Sequence, residues 1–473
     1  MSEPIIRIDG VFNWYMPGEI DDDSKEPVAG TLEIAENGIS TLSLIGLLPD
    51  DTSAGIPLNL KPIGTERCIF GVLKDSRYVF LRRIESGGTT LSNTFSHQKY
   101  LARETVVFNS FNNFPELDAV TNLMIGLDAL ERWASEPAVK VSKTKRGATA
   151  RASKPKTYTF KLSDRTVRLE TKIRHTAPAD IWLQSATIKQ ETFLEVEPKV
   201  PCSLESIREE FHLLEDLFLL LADVDVALPW PTVRYGNEVG RYYFERRRSD
   251  SQKVDIFKSW AALTWLTDSF GTLLSTLEAQ QDILGPGLYL YLGIRRSPAL
   301  YLENRFSTAI FGLESLHRRV GASVTQAKLE EKIARIIENV QLKKDRNWLS
   351  VRLKNACEPS LEERLFSTFT ELDIGLEPKE LRAFSKECAD LRNQVAHFGG
   401  QRDGGYSEFI QKMHTLNEAV RMLYHAILLS RIGLDRDFIH AYFHRSPYSP
   451  VRKRILEAAG LTVFSAPISR TEA

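Results

Sequence analysis

Asp390-Leu391-Arg392-Asn393-Gln394-Val395-Ala396-His397 closes a segment in which Leu381, Phe384, Cys388, Leu391, Val395 and Phe398 recur at alternating steps of three and four. That spacing lays one apolar stripe along an α-helix, with Gly399 as its stop. Arg392, Asn393 and His397 ride at the end of that helix, off the stripe. RNA cleavage without a metal calls for such a set. A His moves protons while the ribose 2′-hydroxyl attacks its own phosphate, and a permanent cation steadies the charge that develops. The helix dipole favours a cation in the last turn, and with it the imidazolium form of His397. Asn393 and His397 lie about 40° apart around the helix, but Arg392 and His397 about 140° apart. Either the helix breaks after Val395 or a second copy of the chain completes the site, one copy's Arg facing the other's His across a two-fold axis. The one other Arg-x(4–6)-His spacing, Arg168 with His175, falls in a strand-like run.

Composition bounds the alternatives. The chain has 473 residues, 42% hydrophobic and 26% charged, the balance of a soluble globular protein with room for two or three cores. No apolar run approaches the roughly 20 residues of a membrane span. Met1-Ser2-Glu3-Pro4 lacks the basic and apolar regions of a secretory signal. Cys68, Cys202, Cys357 and Cys388 show no metal-ligand spacing. A cytoplasmic, thiol-reduced protein is expected. Among His317, His425, His440 and His444 only the i, i+4 pair His440/His444 has any ligand-like spacing, and no G-x(4)-G-K-[ST] phosphate loop occurs, so neither a metal nor a nucleotide cofactor is expected.

A formal net charge of −1 offers a polyanion no global attraction, so nucleic-acid binding has to rest on local patches. Lys140, Lys143, Lys145, Arg146, Arg151, Lys154 and Lys156 punctuate a Ser-, Thr- and Ala-rich stretch that reads as a flexible basic linker, 135–156. Arg246-Arg247-Arg248 follows Tyr242-Tyr243, a combination able to contact phosphate and stack a base. Arg452-Lys453-Arg454 reads as a solvated helix face. Lys143, Lys145, Arg146, Arg246, Arg247 and Arg248 are the candidate RNA contacts.

The fold expected is α+β. Strand-like runs at Val28 to Ile34, Thr41 to Ile45, Arg67 to Val72, Tyr78 to Leu81, Thr105 to Phe108, Thr157 to Leu162 and Thr166 to Ile173 predict a β-rich, sandwich-like domain over 1–250, with an appended helix at Leu204 to Leu221. A helical connector follows over 251–287, ending at the break Gly285-Pro286-Gly287. A helical bundle over 288–445 shows stripes at Leu302, Phe306, Ile310, Leu313, at Leu329, Ile333, Ile336, Val340, and at Phe409, Met413, Leu416, Val420, Leu423, Ile427. A tail takes 446–473. The Arg392 helix falls third or fourth in the bundle, with the longest helix after it and a Gly-rich loop, Gln401 to Gly405, beside it.

Arg392-Asn393-x-x-x-His397 resembles the R-x(4–6)-H signature of the HEPN (higher eukaryotes and prokaryotes nucleotide-binding) superfamily, many of whose members are ribonucleases. Arg305-Phe306-Ser307-Thr308-Ala309-Ile310-Phe311-Gly312-Leu313-Glu314-Ser315-Leu316-His317-Arg318 resembles the opening helix of the ApeA-like HEPN group of bacterial anti-phage, abortive-infection proteins. Phe12-Asn13-Trp14-Tyr15-Met16-Pro17-Gly18 and Ala29-Gly30-Thr31-Leu32-Glu33-Ile34 are similar to the opening of the β-rich domain that accompanies it. The resemblance implies a metal-independent endoribonuclease acting by 2′-hydroxyl transesterification, with tRNA among its candidate substrates. Arg392, Asn393, His397 and the acidic Glu314 would form the site, in a homodimer triggered by a phage protein or another infection signal. The alternative is a non-catalytic HEPN module that binds RNA or dimerises, beside a ligand-sensing β-domain.

Overall fold

The computed structural model describes residues 5–15, 26–48, 68–91, 96–110, 116–134, 136–145, 147–175, 187–246, 254–297, 299–320, 324–353, 358–396 and 405–464. They fall into two compact units, one built from residues up to Glu215 with Val226–Lys253, the other from Asp216–Asp225 with everything from Val254 onward.

The first unit is β-rich. Its strands are β1 (Ile6–Tyr15), β2 (Val28–Ile34), β3 (Ser40–Ile45), β4 (Cys68–Leu73), β5 (Tyr78–Leu91), β6 (Ser96–Phe108) and β7 (Asn122–Gly126). After a short helix α1 (Glu131–Ala134) come β8 (Val139–Thr144), β9 (Gly147–Ala152), β10 (Tyr158–Lys161), β11 (Arg165–His175) and β12 (Ile188–Pro198). Helix α2 (Leu204–Ala222) and strands β13 (Thr232–Tyr235) and β14 (Glu238–Phe244) follow. Pairing runs β6-β3-β2-β1-β4-β5 and returns to β6, all antiparallel, which closes a six-stranded barrel where a sandwich-like form was expected. Closure removes the exposed edges that an open sheet presents.

Period-two alternation fills that barrel. Leu32 and Ile34, Leu42 and Leu44, Ile69 and Leu73, Val79 and Leu81 all point inward around Phe12 and Tyr100. Gly71 stands opposite Phe12 in the β1–β4 register, and a Cβ there would come within 2.3 Å of the ring, so only glycine leaves the aromatic its place. One long strand serves two assemblies: β6 pairs β3 through His97–Ala102 and β14 through Glu104–Phe108. From β14 an outer sheet continues as β13-β7-β12-β11-β10. The amino-terminal turns of α2 are tied to these strands by Arg208, 2.9 Å from buried Glu104, and by Arg165 on β11, 3.1 Å from Glu210.

The basic stretch expected as a flexible linker is instead a two-stranded antiparallel hairpin, β8 paired with β9 from Val139↔Ala152 to Thr144↔Gly147. Alternating Val139 and Val141 on one strand and Ala148, Ala150 and Ala152 on the other carry β character that the lysines obscure in a reading by composition.

The second unit is helical, as expected from Val254 onward: α3 (Phe270–Leu284), α4 (Pro286–Arg295), α5 (Leu302–Val320), α6 (Val324–Glu338), α7 (Lys343–Arg352), α8 (Leu361–Thr370), α9 (Pro378–Ala396), α10 (Tyr406–Arg431), α11 (Arg436–His444) and α12 (Ser449–Ala458). Helices α5, α8, α9 and α10 pack on one another, with α4 against α5. The stripes on α5, α9 and α10 are buried at Phe306, Ile310 and Leu313, at Leu381, Phe384, Cys388 and Leu391, and at Met413, Leu416, Val420, Leu423 and Ile427, while Leu302 and Val395 are half-buried.

The stripe on α6 is not part of that core. Ile336 is 42% exposed, and α6 and α7 pack chiefly on each other. With α6, α7 and α8 all preceding it, the Arg392 helix comes later in the bundle than third or fourth, and the longest helix does follow it. α8 escaped the sequence reading, although its start carries a capping box in which Ser360 and Glu363 satisfy each other's backbone amides at 3.2 and 2.8 Å. Past residue 445, where a tail was expected, α12 buries Leu456 and Arg452. Arg452 is no solvated residue: its guanidinium lies 3.4 Å from the Tyr442 ring centroid and donates to the carbonyls of Tyr442 and Lys258.

Candidate active site

Helix α9 reaches Ala396, so Arg392 and Asn393 occupy its last two turns, while His397 and the Gly-rich loop to residue 404 lie outside the described residues. The buried stripe holds the helix down through Leu391, which turns the following residue to the flank. There the half-buried Arg392 guanidinium stands 4.5 Å from the centroid of Phe311 on α5. A planar cation over an aromatic face is attracted by the ring quadrupole and loses rotational freedom. Its Nη1 donates to Oδ1 of exposed Asn393 at 3.1 Å, and its Nε is buried with no hydrogen-bond partner among the described residues. A charged donor without an acceptor is costly. An anionic oxygen brought to this place would relieve that cost.

Glu314 lies three residues beyond Phe311, on the same side of α5. Its carboxylate accepts from Nε and Nη2 of Arg318 at 3.2 and 3.0 Å. Arg318 in turn meets Glu358 at 3.0 Å, and Glu358 meets buried Arg364 at 2.6 Å. Glu314 is thus one end of an ion-pair chain rather than a free acid. His317 is buried among these groups. Burial, then the charges of Arg364, Arg431 and Arg318, pull its pKa below the usual histidine value, so the ring is neutral near pH 7.

The structure therefore brings Arg392 and Asn393 together beside Phe311, whereas the contacts of Glu314 run to Arg318 on its own helix. Sequence reasoning missed Phe311 and the Arg318–Glu358–Arg364 chain. The signal for Phe311 was its place one residue off the Ile310 stripe, an aromatic with no core position to fill.

The Tyr-Arg patch is corrected. Tyr242 and Tyr243 are buried and cannot stack a base, and Arg246 lies 3.7 Å from the Trp230 ring centroid with Glu215 3.6 Å away. Arg246 is a packing residue of the β-rich unit. Arg247 and Arg248 lie outside the described residues, as does Arg146, whereas Lys143 and Lys145 are exposed on the hairpin and at its turn. Cys388 is a core residue whose thiol pKa burial raises well above its usual value. His440 and His444 stack on each other, and His444 faces the Ile374 carbonyl at 3.0 Å. Among the described residues no helix is long and apolar enough to cross a membrane.

Residues 10–261 match the family model of ApeA N-terminal domain 1, and residues 308–438 match that of the Apea-like HEPN domain. The first match covers the barrel, the outer sheet and α2; the second runs from α5 into α11 and contains Phe311, Glu314, Arg392, Asn393 and His397. A search of curated proteins finds no match.

Proposed function

We propose, for a chain that belongs to the family of ApeA-like HEPN proteins, that the helical unit is a metal-independent endoribonuclease of abortive-infection defence, working in the cytoplasm. The observation that carries this reading is Arg392, a cation held over Phe311 whose Nε–H meets no acceptor among the described residues, five positions before His397. In the reaction His397 accepts the proton of the ribose 2′-hydroxyl as the 2′-oxygen bonds to phosphorus. The bond to the 5′-oxygen breaks, and an imidazolium returns a proton to that leaving group. Arg392 donates to the non-bridging oxygens of the phosphorane, where the negative charge grows. Asn393 orients Arg392 through its Oδ1. Glu314, bonded to Arg318 within α5, takes no part in the proton transfers. The products are a 2′,3′-cyclic phosphate and a 5′-hydroxyl. Structured RNAs such as tRNA are the substrate class, and the basic hairpin, with Lys145 at its turn, belongs to the surface that meets them. The β-rich unit acts as sensor and brake for a phage protein or other infection signal. A closed state favoured by about 3 kcal/mol keeps the active fraction near ~1%.

The test is incubation of the purified full chain with total tRNA in excess EDTA, with the ends of the fragments analysed. Cyclic phosphate ends support the reading. Cleavage that needs an added divalent metal refutes it, and RNA bound but never cut, with or without phage lysate, leaves the non-catalytic module in its place.

A further inference from the structure

The β8–β9 hairpin separates its side chains into two unlike faces. Antiparallel register sets Lys140 opposite Arg151 and Ser142 opposite Thr149 on one side, and Val141 opposite Ala150 and Lys143 opposite Ala148 on the other. All of these residues are exposed, Val141 at 73%, so neither face is covered. The root of the hairpin is fixed: Ser153 donates its amide to the Ala138 carbonyl at 2.9 Å, and Ala138 donates its own to Gln190 of β12 at 2.8 Å.

Two like charges directly opposite on a ribbon repel and destabilise it. No ion pair relieves Lys140 or Arg151 among the described residues. Arginines elsewhere in this unit do find carboxylates, as Arg82 does with Asp118 at 3.0 Å and Arg168 with Glu197 at 2.6 Å. Beside the cations, Ser142 and Thr149 hydroxyls bond to each other at 2.7 Å. From Ala138 through Lys154 the sequence holds six Lys and Arg residues, no acid and no aromatic. A cation pair flanked by hydroxyls is the donor set that phosphate and ribose oxygens accept from. The lack of any aromatic removes the stacking platform that single strands need.

We propose that this hairpin is an arm that grips base-paired RNA by its backbone, Lys140 and Arg151 each meeting a phosphate and Ser142 and Thr149 reaching the adjacent ribose and phosphate oxygens. The proposal deepens the endoribonuclease reading and rests on it for the choice of RNA as partner. Recognition is of the duplex backbone and not of bases, because side chains cannot read the deep, narrow major groove of A-form RNA. The apolar face with Val141 turns away from the strand.

The experiment measures binding of the full chain, carrying His397→Ala so that the probe is not consumed, to a labelled RNA hairpin of about 20 base pairs. Lys140→Ala with Arg151→Ala is expected to weaken binding roughly tenfold near 0.1 M salt and to flatten the slope of log K against log salt by about 1.8, two phosphate contacts at ~0.9 each. The swap Lys140→Arg with Arg151→Lys retains binding within about twofold, and Lys143→Ala, on the opposite face, costs less than about twofold. Unchanged binding in the double alanine variant overturns the proposal. So does an equal loss with Lys143→Ala, which would make net charge the only determinant, or equal affinity for duplex DNA or unpaired RNA of the same length. The two readings fail separately. A parent chain that cuts no RNA, while the double variant still loses hairpin binding, removes the nuclease and leaves the arm. A chain that cuts RNA, while the double variant binds as the parent does, removes the arm alone.

Discussion

Arg392 depends on a residue 81 positions earlier in the chain for its aim. Phe311 supplies a flat face 4.5 Å from the guanidinium, and only a planar, delocalised cation uses such a face fully. Arg392→Ala is expected to lower RNA cleavage by about 10² or more with the fold intact, because its charged group acts on the transition state and lies off the buried stripe. Arg392→Lys keeps the charge and should still lose most of that activity. Phe311→Ala keeps the arginine but frees it, with a loss of roughly tenfold in kcat and little change in RNA affinity. Initial rates on one defined RNA, beside thermal melting of each variant, check all three; cleavage unaltered in Arg392→Ala would end its catalytic assignment. The Arg-Asn pair was legible because polar residues are grouped beside a regular apolar stripe near the end of its helix. Phe311 as its platform was not, since an i, i+3 and i, i+4 pattern reports one helix and says nothing about which residue of another helix it meets. Tyr242-Tyr243-Arg246 misled for a related reason. Neighbours in a strand point to opposite faces, so the burial of both tyrosines requires cover on both sides of β14. That cover comes from α2 on one side, where the Tyr242 hydroxyl reaches the Leu204 carbonyl, and from the barrel core around Tyr243 on the other.

At the scale of elements, the stripes of α5, α9 and α10 could be read because each is continuous and long, whereas the α6 stripe has the same spacing with no core to enter. Periodicity shows that a helix has an apolar face without showing what covers it. The end of α2 was harder still. Residues Asp216–Asp225 belong to the helical unit, and Asp223, at φ 57° and with its side chain 13% exposed, is the anion its cations share. Arg295 pairs with its Oδ1, His425 Nδ1 lies 3.1 Å away and Arg421 3.6 Å away, and Tyr442 donates to Oδ2 at 3.4 Å. Removing one member of such a group strands the others without a counter-charge, so Asp223→Ala should cost about 3–5 kcal/mol, measured by urea unfolding followed by tryptophan fluorescence. A loss below about 1 kcal/mol would mean that water replaces the carboxylate. Acid gives a second readout. Burial pushes the Asp223 pKa up, but Arg295, His425 and Arg421 outweigh it and hold the carboxyl well below its usual range. A depressed folded pKa confers stability that is complete above the unfolded value of about 3.9 and is lost as pH falls below it. The parent chain should therefore lose stability steeply below about pH 4, and Asp223→Asn, already destabilised, should show a shallower slope there.

For the whole molecule, these contacts decide which experiments can reveal a brake or a shared site. A fragment beginning at Leu288 would keep Arg295, Arg421 and His425 but lose Asp223, together with Trp260, whose buried ring stacks on Tyr442 at 3.4 Å. Such a fragment is expected to be insoluble or molten, so its failure to kill cells would say nothing about restraint by the β-rich unit. The shared site must be sought in the intact chain. Arg392 and position 397 lie about 140° apart on a continued helix, and one straight α9 cannot turn both toward the same phosphate. If two copies build each site, Arg392 from one and His397 from its partner, then Arg392→Ala and His397→Ala chains are each inactive alone. Mixed after subunit exchange, they form heterodimers in which one of the two sites carries both substitutions and the other neither. Random pairing makes half the dimers mixed, so about a quarter of the parent's cleavage should return. Complementation near that level, in a preparation that sediments as a dimer, establishes the shared site. Dimers that exchange subunits and recover nothing place Arg392 and His397 of one chain at one phosphate, and the shared-site reading fails.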